Sequence, residues 1–259
     1  MKKSFLIILL SLLFACSEES VIDLDPKENN NSFSSSPNGG YINISNSQYL
    51  NISDNITIAF WTKLNSLGPT DSGGNGYNQF INKWDGPNHQ YVVSNNKKGI
   101  YTYFNDTNNQ GHYNLAESNI HPKLNKWEFI ATTYSQGEVK IYLNAELILE
   151  KTLEFTPLKI ETDINIGGAA VALGDLESVD GLMDDVQIWS KPLSQIEIRN
   201  LMNNPPSGNE EGLVGYWNFE ADSSSEASVN DSSIFKNNGT MKDTDGKTIN
   251  IVLSSDTPY

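Results

Sequence analysis

Short runs in which apolar and polar residues alternate are the feature that most constrains the fold of this chain. In residues 55–64, NITIAFWTKL, the side chains of Ile56, Ile58 and Phe60 share one side of an extended backbone. Residues 138–150 alternate in the same way, with a hairpin turn at 144–146, and further strands are predicted at 126–134, which is β-branched and aromatic, and at 164–168 and 186–189. Gly, Asn, Asp and Pro separate these runs. Many short strands with little helix predict an all-β protein, a two-sheet antiparallel β-sandwich.

One short helix is predicted near 193–202. Ser194 is placed to cap its N-terminus, and Glu197, three residues later, completes a capping box. Leu193 and Ile198 have the spacing of a hydrophobic staple around that cap. A single capped helix on a sandwich is expected to be structural.

Residues 1–15 are expected to be a lipoprotein signal peptide. Lys2 and Lys3 precede an apolar run that is shorter than the ~20 residues a bilayer crossing needs. The run ends in LFAC and resembles a lipobox, so Cys16, the single cysteine, is predicted to carry a lipid. The alternative is an ordinary secretory signal with an incidental cysteine. The motif SEE after Cys16 resembles the export signal of lipoproteins exposed on the bacterial outer membrane.

Residues 16–38 are acidic and then rich in Asn and Ser, and they are predicted to form a flexible tether. The chain carries 17 Lys plus Arg against 32 Asp plus Glu, a net charge of −15. Such a charge repels nucleic acid and anionic lipid headgroups, so we expect no nucleic-acid partner and membrane contact through the lipid anchor only. Residues 39–259 are long enough for one sizeable core.

Several segments, in their order along the chain, resemble bacterial laminin G-like domains of the concanavalin A-like jelly-roll class. They are the segments NGGYINISNSQYLNISDNITIAFWTKL, FINKWDG, KWEFIATTYSQGEVKIYLNAELI, DGLMDDVQIWSKPLSQIEI and GLVGYWNFEADSSSEASVNDSSIFKNNGTM. The resemblance covers nearly all of 36–259 and implies a jelly roll with the fold of lectins and glucanases. The YWNFE segment, which often opens such a domain, comes late here. We expect residues 212–259 to close the 39–259 domain with C-terminal strands; the alternative is a truncated second domain.

The adjacent carboxylates Asp184 and Asp185 stand out within this pattern. Simple alternation puts Asp184 on the same inward side as Val186 and Ile188, with Asp185 on the opposite side. A buried carboxylate must be hydrogen-bonded, paired or metal-bound. The first interpretation is that Asp184 holds backbone N–H groups of a loop. The second is a structural calcium at Asp184, to which Asp180 or Asp163 would contribute.

A catalytic role is the less favoured alternative. A retaining glycanase needs two carboxyl groups about 5–5.5 Å apart. The E-x-D spacing Glu220–Asp222 runs into a loop-like stretch, and Asp184 and Asp185 are expected to point to opposite faces. No nucleophile triad, zinc spacing or phosphate loop stands out in the sequence. We therefore expect a non-catalytic protein, with a glycan lyase or hydrolase as the remaining enzymatic alternative.

Residues 77–113 alternate aromatic side chains with Asn, Gln and Asp, as a sugar site requires. The candidate ligand-binding residues are Trp84, His89, Tyr91, Tyr101, Tyr103 and Tyr113. For each ring, ordinary packing within a sheet remains an equal alternative. Four other tryptophans are expected to be structural, namely Trp61, Trp127, Trp189 and Trp217. The favoured hypothesis is a surface-anchored lipoprotein that binds a polysaccharide or cell-surface glycan, or acts in adhesion. The second hypothesis is a protein-interaction module without a small ligand.

Overall fold

The structure is a computed structural model. It describes residues 31–35, 40–52, 54–68, 78–85, 88–107, 109–168, 178–243 and 245–259, with the backbone alone for 109–114. Cys16 and the rest of the predicted signal peptide and tether up to residue 30 lie outside the described residues. None of the described helical segments has the length and hydropathy that a membrane crossing requires.

Sixteen strands and one α-helix follow one another in the described part of the chain. They are β1 (Ser32–Ser35), β2 (Gly40–Ile44), β3 (Asn55–Leu64), β4 (Asn78–Asp85), β5 (Asn88–Asn96), β6 (Gly99–Asp106), β7 (Asn109–Glu117), β8 (Trp127–Ser135), β9 (Glu138–Leu143), β10 (Glu146–Thr152), β11 (Ile164–Ile166), β12 (Gly181–Trp189), α1 (Gln195–Leu201), β13 (Leu213–Trp217), β14 (Ser228–Val229), β15 (Gly239–Asp243) and β16 (Leu253–Ser254). A 3-10 turn, Gln48–Leu50, lies between β2 and β3.

These strands form two antiparallel sheets of eight strands each. The first sheet has the order β10–β9–β8–β3–β12–β1–β16, and β13 pairs with β12 beyond the end of β1. The second sheet has the order β14–β15–β2–β11–β4–β5–β6–β7. Asn144 and Ala145 both have positive φ, 52° and 60°, which is the geometry of the tight turn that joins β9 to β10. The predicted antiparallel sandwich is confirmed.

The main core lies between the two sheets. Phe60 of β3 meets Phe80 of β4 with ring centroids 4.9 Å apart, and both side chains are fully buried. Ile56, Ile58 and Phe60 all belong to this core, as the alternation in β3 predicts. Because successive side chains of a strand point to opposite faces, the residues between these positions form the outer faces of the sandwich.

A second apolar cluster covers the outer face of the first sheet. There α1 packs Ile198 and the preceding Leu193 near Ala59 and Trp61 of β3. The capping box is present, since the Ser194 side chain accepts the Glu197 N–H while the Glu197 carboxylate accepts the Ser194 N–H. The predicted helix therefore exists, and its apolar face binds it to the first sheet.

The C-terminal segment contributes to both sheets. β13 and β16 join the first sheet through β12 and β1, whereas β15 pairs with β2 in the second sheet. Asp231 organises the loop between them: its carboxylate accepts the N–H groups of Tyr216, Ser233 and Asn237 at 2.7–2.9 Å. Residues 213–254 are thus tied to β1 and β2 by backbone pairing, and Asp231 fixes the loop within this segment.

Candidate functional site

The outer face of the second sheet carries a continuous row of uncharged side chains. The register pairs Asn43 with Asn165, Asn165 with Asn82, and Asn82 with Val92. The row continues through Tyr103 of β6. Since neighbours such as Ile42, Ile44, Ile164 and Ile166 fill the core, this row lies on the opposite face. We call it the outer row.

Amide side chains in the outer row bond to one another across the strands. Asn43 Nδ2 donates to Asn165 Oδ1 at 3.0 Å, and Asn165 Nδ2 donates to Asn82 Oδ1 at 3.1 Å. Asn82 Nδ2 in turn donates to Gln79 Oε1 at 3.0 Å and to the Gly168 carbonyl at 2.7 Å. Asn82 and Asn165 are buried, so these bonds satisfy polar groups that would otherwise be costly. The amide row therefore fixes the strand register and rigidifies this face.

Aromatic rings continue the outer row on β4, β5 and β6. The Trp84 and His89 rings meet edge to face at 4.9 Å, and the His89 and Tyr103 rings do so at 5.1 Å. Tyr103 and Tyr101 lie nearly parallel, with an interplanar angle of 7°. His89 and Tyr101 are almost fully buried, whereas Trp84 and Tyr103 are partly exposed. Trp84 and Tyr103 therefore offer ring surface to a ligand, and His89 and Tyr101 support them.

A β-bulge places His89 in this aromatic group. The register steps from Lys83–Tyr91 to Trp84–His89, so Gln90 has no direct partner and the alternation of β5 changes side there. The Tyr103 hydroxyl and His89 Nδ1 are 3.1 Å apart. Burial lowers the pKa of His89 to about 4, so the imidazole is neutral near pH 7. It acts here as a hydrogen-bonding group without charge.

The same bulge removes one predicted residue from the site. Tyr91, one of the predicted ligand-binding residues, is 1% exposed and packs in the main core, so it offers no surface to a ligand on the outer face. In a strand without a bulge, Tyr91 and His89 would lie on the same side. Trp84 is the seventh residue of β4. Tyr113 pairs with Asn105 through the backbone, and its side chain lies outside the described part.

A second bulge shapes the surroundings of Asp184. Asp184 pairs with Trp61 and Gln187 with Ala59, so Asp185 and Val186 together face the single residue Phe60. Asp185 has φ 47°, a left-handed conformation that is uncommon for a residue other than glycine. Because the extra residue shifts the alternation, Asp184 lies on the outer side with Trp61. The prediction that it points inward with Val186 was wrong.

Both carboxyl groups are buried where β12 changes partner from β1 to β13. Asp184 Oδ1 accepts the Asp185 N–H at 2.8 Å, which agrees with the hydrogen-bonding interpretation. Burial, and then the neighbouring Asp185, raises the pKa of Asp184 to about 9. Burial also raises the pKa of Asp185, although hydrogen bonds from the Tyr216 and Tyr259 hydroxyls oppose that rise. Asp184 is therefore protonated at neutral pH.

Sequence reasoning missed the tyrosines that hold Asp185. The Tyr216 hydroxyl donates to Asp185 Oδ1, and the Tyr259 hydroxyl donates to Oδ2 at 2.6 Å. Trp61 Nε1 donates to the Tyr259 oxygen at 3.2 Å. Tyr216 and Tyr259 come from sequence positions far from Asp185, so no local pattern points to them. With Asp184 and Asp185 2% and 4% exposed, neither carboxyl group is presented to a substrate.

The other two aspartates predicted as calcium ligands accept hydrogen bonds from protein groups. Asp180 accepts hydrogen bonds from Asn65 Nδ2 and from the Ser66 hydroxyl, and Asp163 accepts the Asn46 N–H at 2.9 Å. Within the described residues, no three His, Cys, Asp or Glu side chains come together as a metal site would require. Calcium binding at Asp184 and Asp180 stays a prediction.

Of the four tryptophans predicted to be structural, Trp217 is fully buried in the main core. Trp61 and Trp189 are buried in the second cluster. Trp127 lies at the margin of that cluster, half-buried, with its Nε1 donating to Asp256 at 2.8 Å. Trp127 is thus a weaker packing element than its place on β8 suggests.

A toxin, a toxin's binding domain and a candidate carbohydrate-binding protein are among the known proteins similar to this chain. The chain is 26% identical over 191 residues to botulinum neurotoxin type E of Clostridium butyricum, covering 68% of this chain but 14% of the toxin. A candidate carbohydrate-binding protein from Bacteroides ovatus superposes with a TM-score of 0.66 at 15% identity, over 87% of this chain and 59% of that one. The binding domain of botulinum neurotoxin serotype D gives a TM-score of 0.50 at 23% identity, over 68% of this chain and 43% of that one.

The family model described as the concanavalin A-like lectin/glucanases superfamily matches residues 36–199. That match begins before β2 and ends within α1, so it takes in strands of both sheets. Because it spans more than half of the chain, the protein belongs to the concanavalin A-like lectin/glucanases superfamily.

Proposed function

We propose that this protein is a non-catalytic carbohydrate-binding lipoprotein on the surface of a bacterial outer membrane. The observation that carries the proposal is the outer row, in which partly exposed Trp84 and Tyr103 continue a row of hydrogen-bonded amides. Aromatic faces cover the C–H surface of a sugar, and polar groups beside them orient its hydroxyl groups. Asn43 and Tyr103 are the partly exposed polar residues of the row, and the buried amides of Asn82 and Asn165 support the face. The register fixes these groups before a ligand arrives, which limits the entropy lost on binding.

The relatives support a binding role. The Bacteroides ovatus protein is described as a candidate carbohydrate-binding protein, and the serotype D structure is that of a toxin's binding domain. Within the described residues, Asp184 and Asp185 are carboxyl groups with raised pKa that are enclosed, which favours binding over catalysis at that position. Burial also raises the pKa of Asp222, whose Oδ1 accepts hydrogen bonds from the N–H and the side-chain amide of Asn230.

The test of this function is a polysaccharide array read in two ways, by retention of the protein and by release of reducing ends. We expect retention on at least one polysaccharide without product release. Trp84→Ala should lose that retention, because a central aromatic anchor contributes about 1–3 kcal/mol, or roughly 5- to 150-fold in affinity. Product release would support a hydrolase or lyase instead. Failure to bind any polysaccharide would favour the protein-interaction module.

Lipidation at Cys16 is a separate part of the proposal. It rests on the apolar run that ends in LFAC and on the single cysteine of the chain. Cys16→Ser should release the protein from the membrane fraction of expressing bacteria. Surface exposure is then tested by protease treatment of intact cells, with a periplasmic protein as the control. Unchanged membrane partitioning of Cys16→Ser would contradict the anchor.

A further inference from the structure

We infer that the ligand of the outer row is an uncharged polysaccharide, an inference that rests on the proposed function. The middle of the face consists of amides, a valine and aromatic rings across β2, β11, β4, β5 and β6. Asn43, Trp84 and Tyr103 are the partly exposed members that a ligand would contact, and all three are uncharged. No described side chain of the row from Asn43 to Tyr103 carries a formal charge at neutral pH. The imidazole of His89 is neutral there as well, because burial lowers its pKa.

The lysine within these central strands points away from the face. Lys83 of β4 is in register with Ile164, a core residue, so its side chain lies on the inner side. Its Nζ donates to the Leu50 carbonyl at 3.0 Å and to side-chain oxygens of Asn46 and Asn51. Lys83 is fully buried, and these hydrogen bonds stabilise the turn between β2 and β3. It is not available to a ligand.

Two other lysines lie on or beside strands of the second sheet, Lys98 in the turn between β5 and β6 and Lys242 on β15. Lys98, after β5, is paired with Glu117 at 3.0 Å, and Lys242 of β15 donates to the Thr248 hydroxyl at 2.8 Å. The chain has a single arginine, Arg199, which lies in α1 over the first sheet and is paired with Glu146. Arginine is the side chain best suited to bidentate recognition of carboxylate or sulfate groups, and none is placed near the outer row.

The sequence outside the described part, next to β4 and after β11, contains no further cation. Residues 69–77, 86–87 and 169–177 contain neither Lys nor Arg, but they do contain Asp71, Asp175 and Glu177. The whole chain has a net charge of −15. A uronate-rich or sulfated polysaccharide would therefore approach a repulsive field and find no basic partner in the middle of the face. An uncharged polysaccharide meets neither obstacle.

The experiment compares uncharged polysaccharides with anionic ones by titration calorimetry. Glucans, xylans, mannans and N-acetylglucosamine polymers are tested beside alginate, polygalacturonate and heparin, and each bound polymer is tested again as its sulfated derivative. Each titration is made at about 0.02 M and about 0.5 M NaCl, between which the Debye length falls from roughly 20 Å to roughly 4 Å. A variant combining Lys98→Gln with Lys242→Gln tests these two lysines.

We expect an uncharged polysaccharide to bind with a Kd that changes less than about two-fold with salt and is unchanged in the double lysine variant. Its sulfated derivative should bind at least about ten-fold more weakly. Tighter binding of an anionic polysaccharide, weakened by salt or by loss of Lys98 and Lys242, would overturn the inference and leave the proposed function standing. Failure of every polysaccharide to bind would overturn both.

Discussion

Replacing Asp184 by asparagine should stabilise the protein. Asp184 is enclosed with a pKa of about 9, against 3.8 for an unperturbed aspartate. At pH 7 the folded protein keeps this proton while the unfolded chain has released it. At about 1.4 kcal/mol per pH unit, the difference of roughly three units between pH 7 and 3.8 opposes folding by about 4 kcal/mol. Asparagine has nearly the same shape and keeps an acceptor for the Asp185 N–H, but it does not ionise.

The full 4 kcal/mol is an upper bound, because the new amide donors need partners and each unsatisfied donor costs about 1–3 kcal/mol. We therefore expect a gain of about 2 kcal/mol at pH 7, or roughly 4–8 °C in Tm for a domain of this size. Because the pKa of Asp184 is raised in the folded protein, the carboxyl group does not oppose folding below pH 3.8, where both states are protonated. The stability that this proton provides is lost progressively as the pH rises from 3.8 to about 9. Between those limits the stability of the wild type relative to Asp184→Asn should fall by about 1.4 kcal/mol per pH unit.

Urea unfolding from pH 5 to pH 9 measures this slope for both proteins. Asp185→Asn is the matched control: Asp185 accepts two tyrosine hydroxyls, so an amide there would set a donor against a donor and destabilise the protein. Stabilisation by Asp184→Asn with no effect of EDTA supports a protonated, hydrogen-bonded Asp184. Destabilisation by Asp184→Asn, together with a lower wild-type Tm in EDTA, would refute this reasoning and assign the carboxylate to calcium.

Three further predictions concern packing, protonation and the C-terminal loop. Trp84→Ala should lower the free energy of unfolding in urea little, whereas Trp217→Ala should lower it by about 3–5 kcal/mol, because Trp217 is fully buried in the core. Equal losses would show that Trp84 is also a packing residue. The pKa of His89 is lowered from 6.5 to about 4, so the neutral imidazole contributes up to about 3 kcal/mol of folding stability above pH 6.5, and this is lost as the pH falls towards 4. His89→Gln should flatten the plot of stability against pH over that range, and an unchanged plot would contradict a neutral imidazole. Asp231→Ala should cost about 3 kcal/mol or more, because it strands three backbone N–H groups, and a loss below about 1 kcal/mol would show that the loop is held by other contacts.

Local patterns predicted the regular parts of the fold well. The strand Asn55–Leu64 coincides with the alternating run, and the Ser194–Glu197 box predicted the start of α1. Both signals depend on neighbours within a few residues, so they can be read without the tertiary structure.

At the two bulges, the local sequence pattern does not predict which face of the sheet a side chain lies on. An extra residue at Gln90 and another at Asp185 reverse the alternation, so Tyr91 is buried and Asp184 faces outward. A bulge is defined by the register between two paired strands, with two residues of one strand opposite one residue of the other, so the sequence of one strand alone does not reveal it. The amide row was missed for the same reason: Asn43, Asn82 and Asn165 come from separate strands and meet only through the register.

The affinity of Tyr103→Ala for a bound polysaccharide is the most direct test of a site on the outer row. Tyr49→Ala is the matched control, because Tyr49 is 46% exposed and lies on the turn between β2 and β3, outside the row. In calorimetric titrations on folded proteins, Tyr103→Ala should weaken binding roughly 5- to 150-fold while Tyr49→Ala leaves it unchanged. Unchanged binding by Tyr103→Ala, or a loss in Tyr49→Ala alone, would contradict a sugar site on this face.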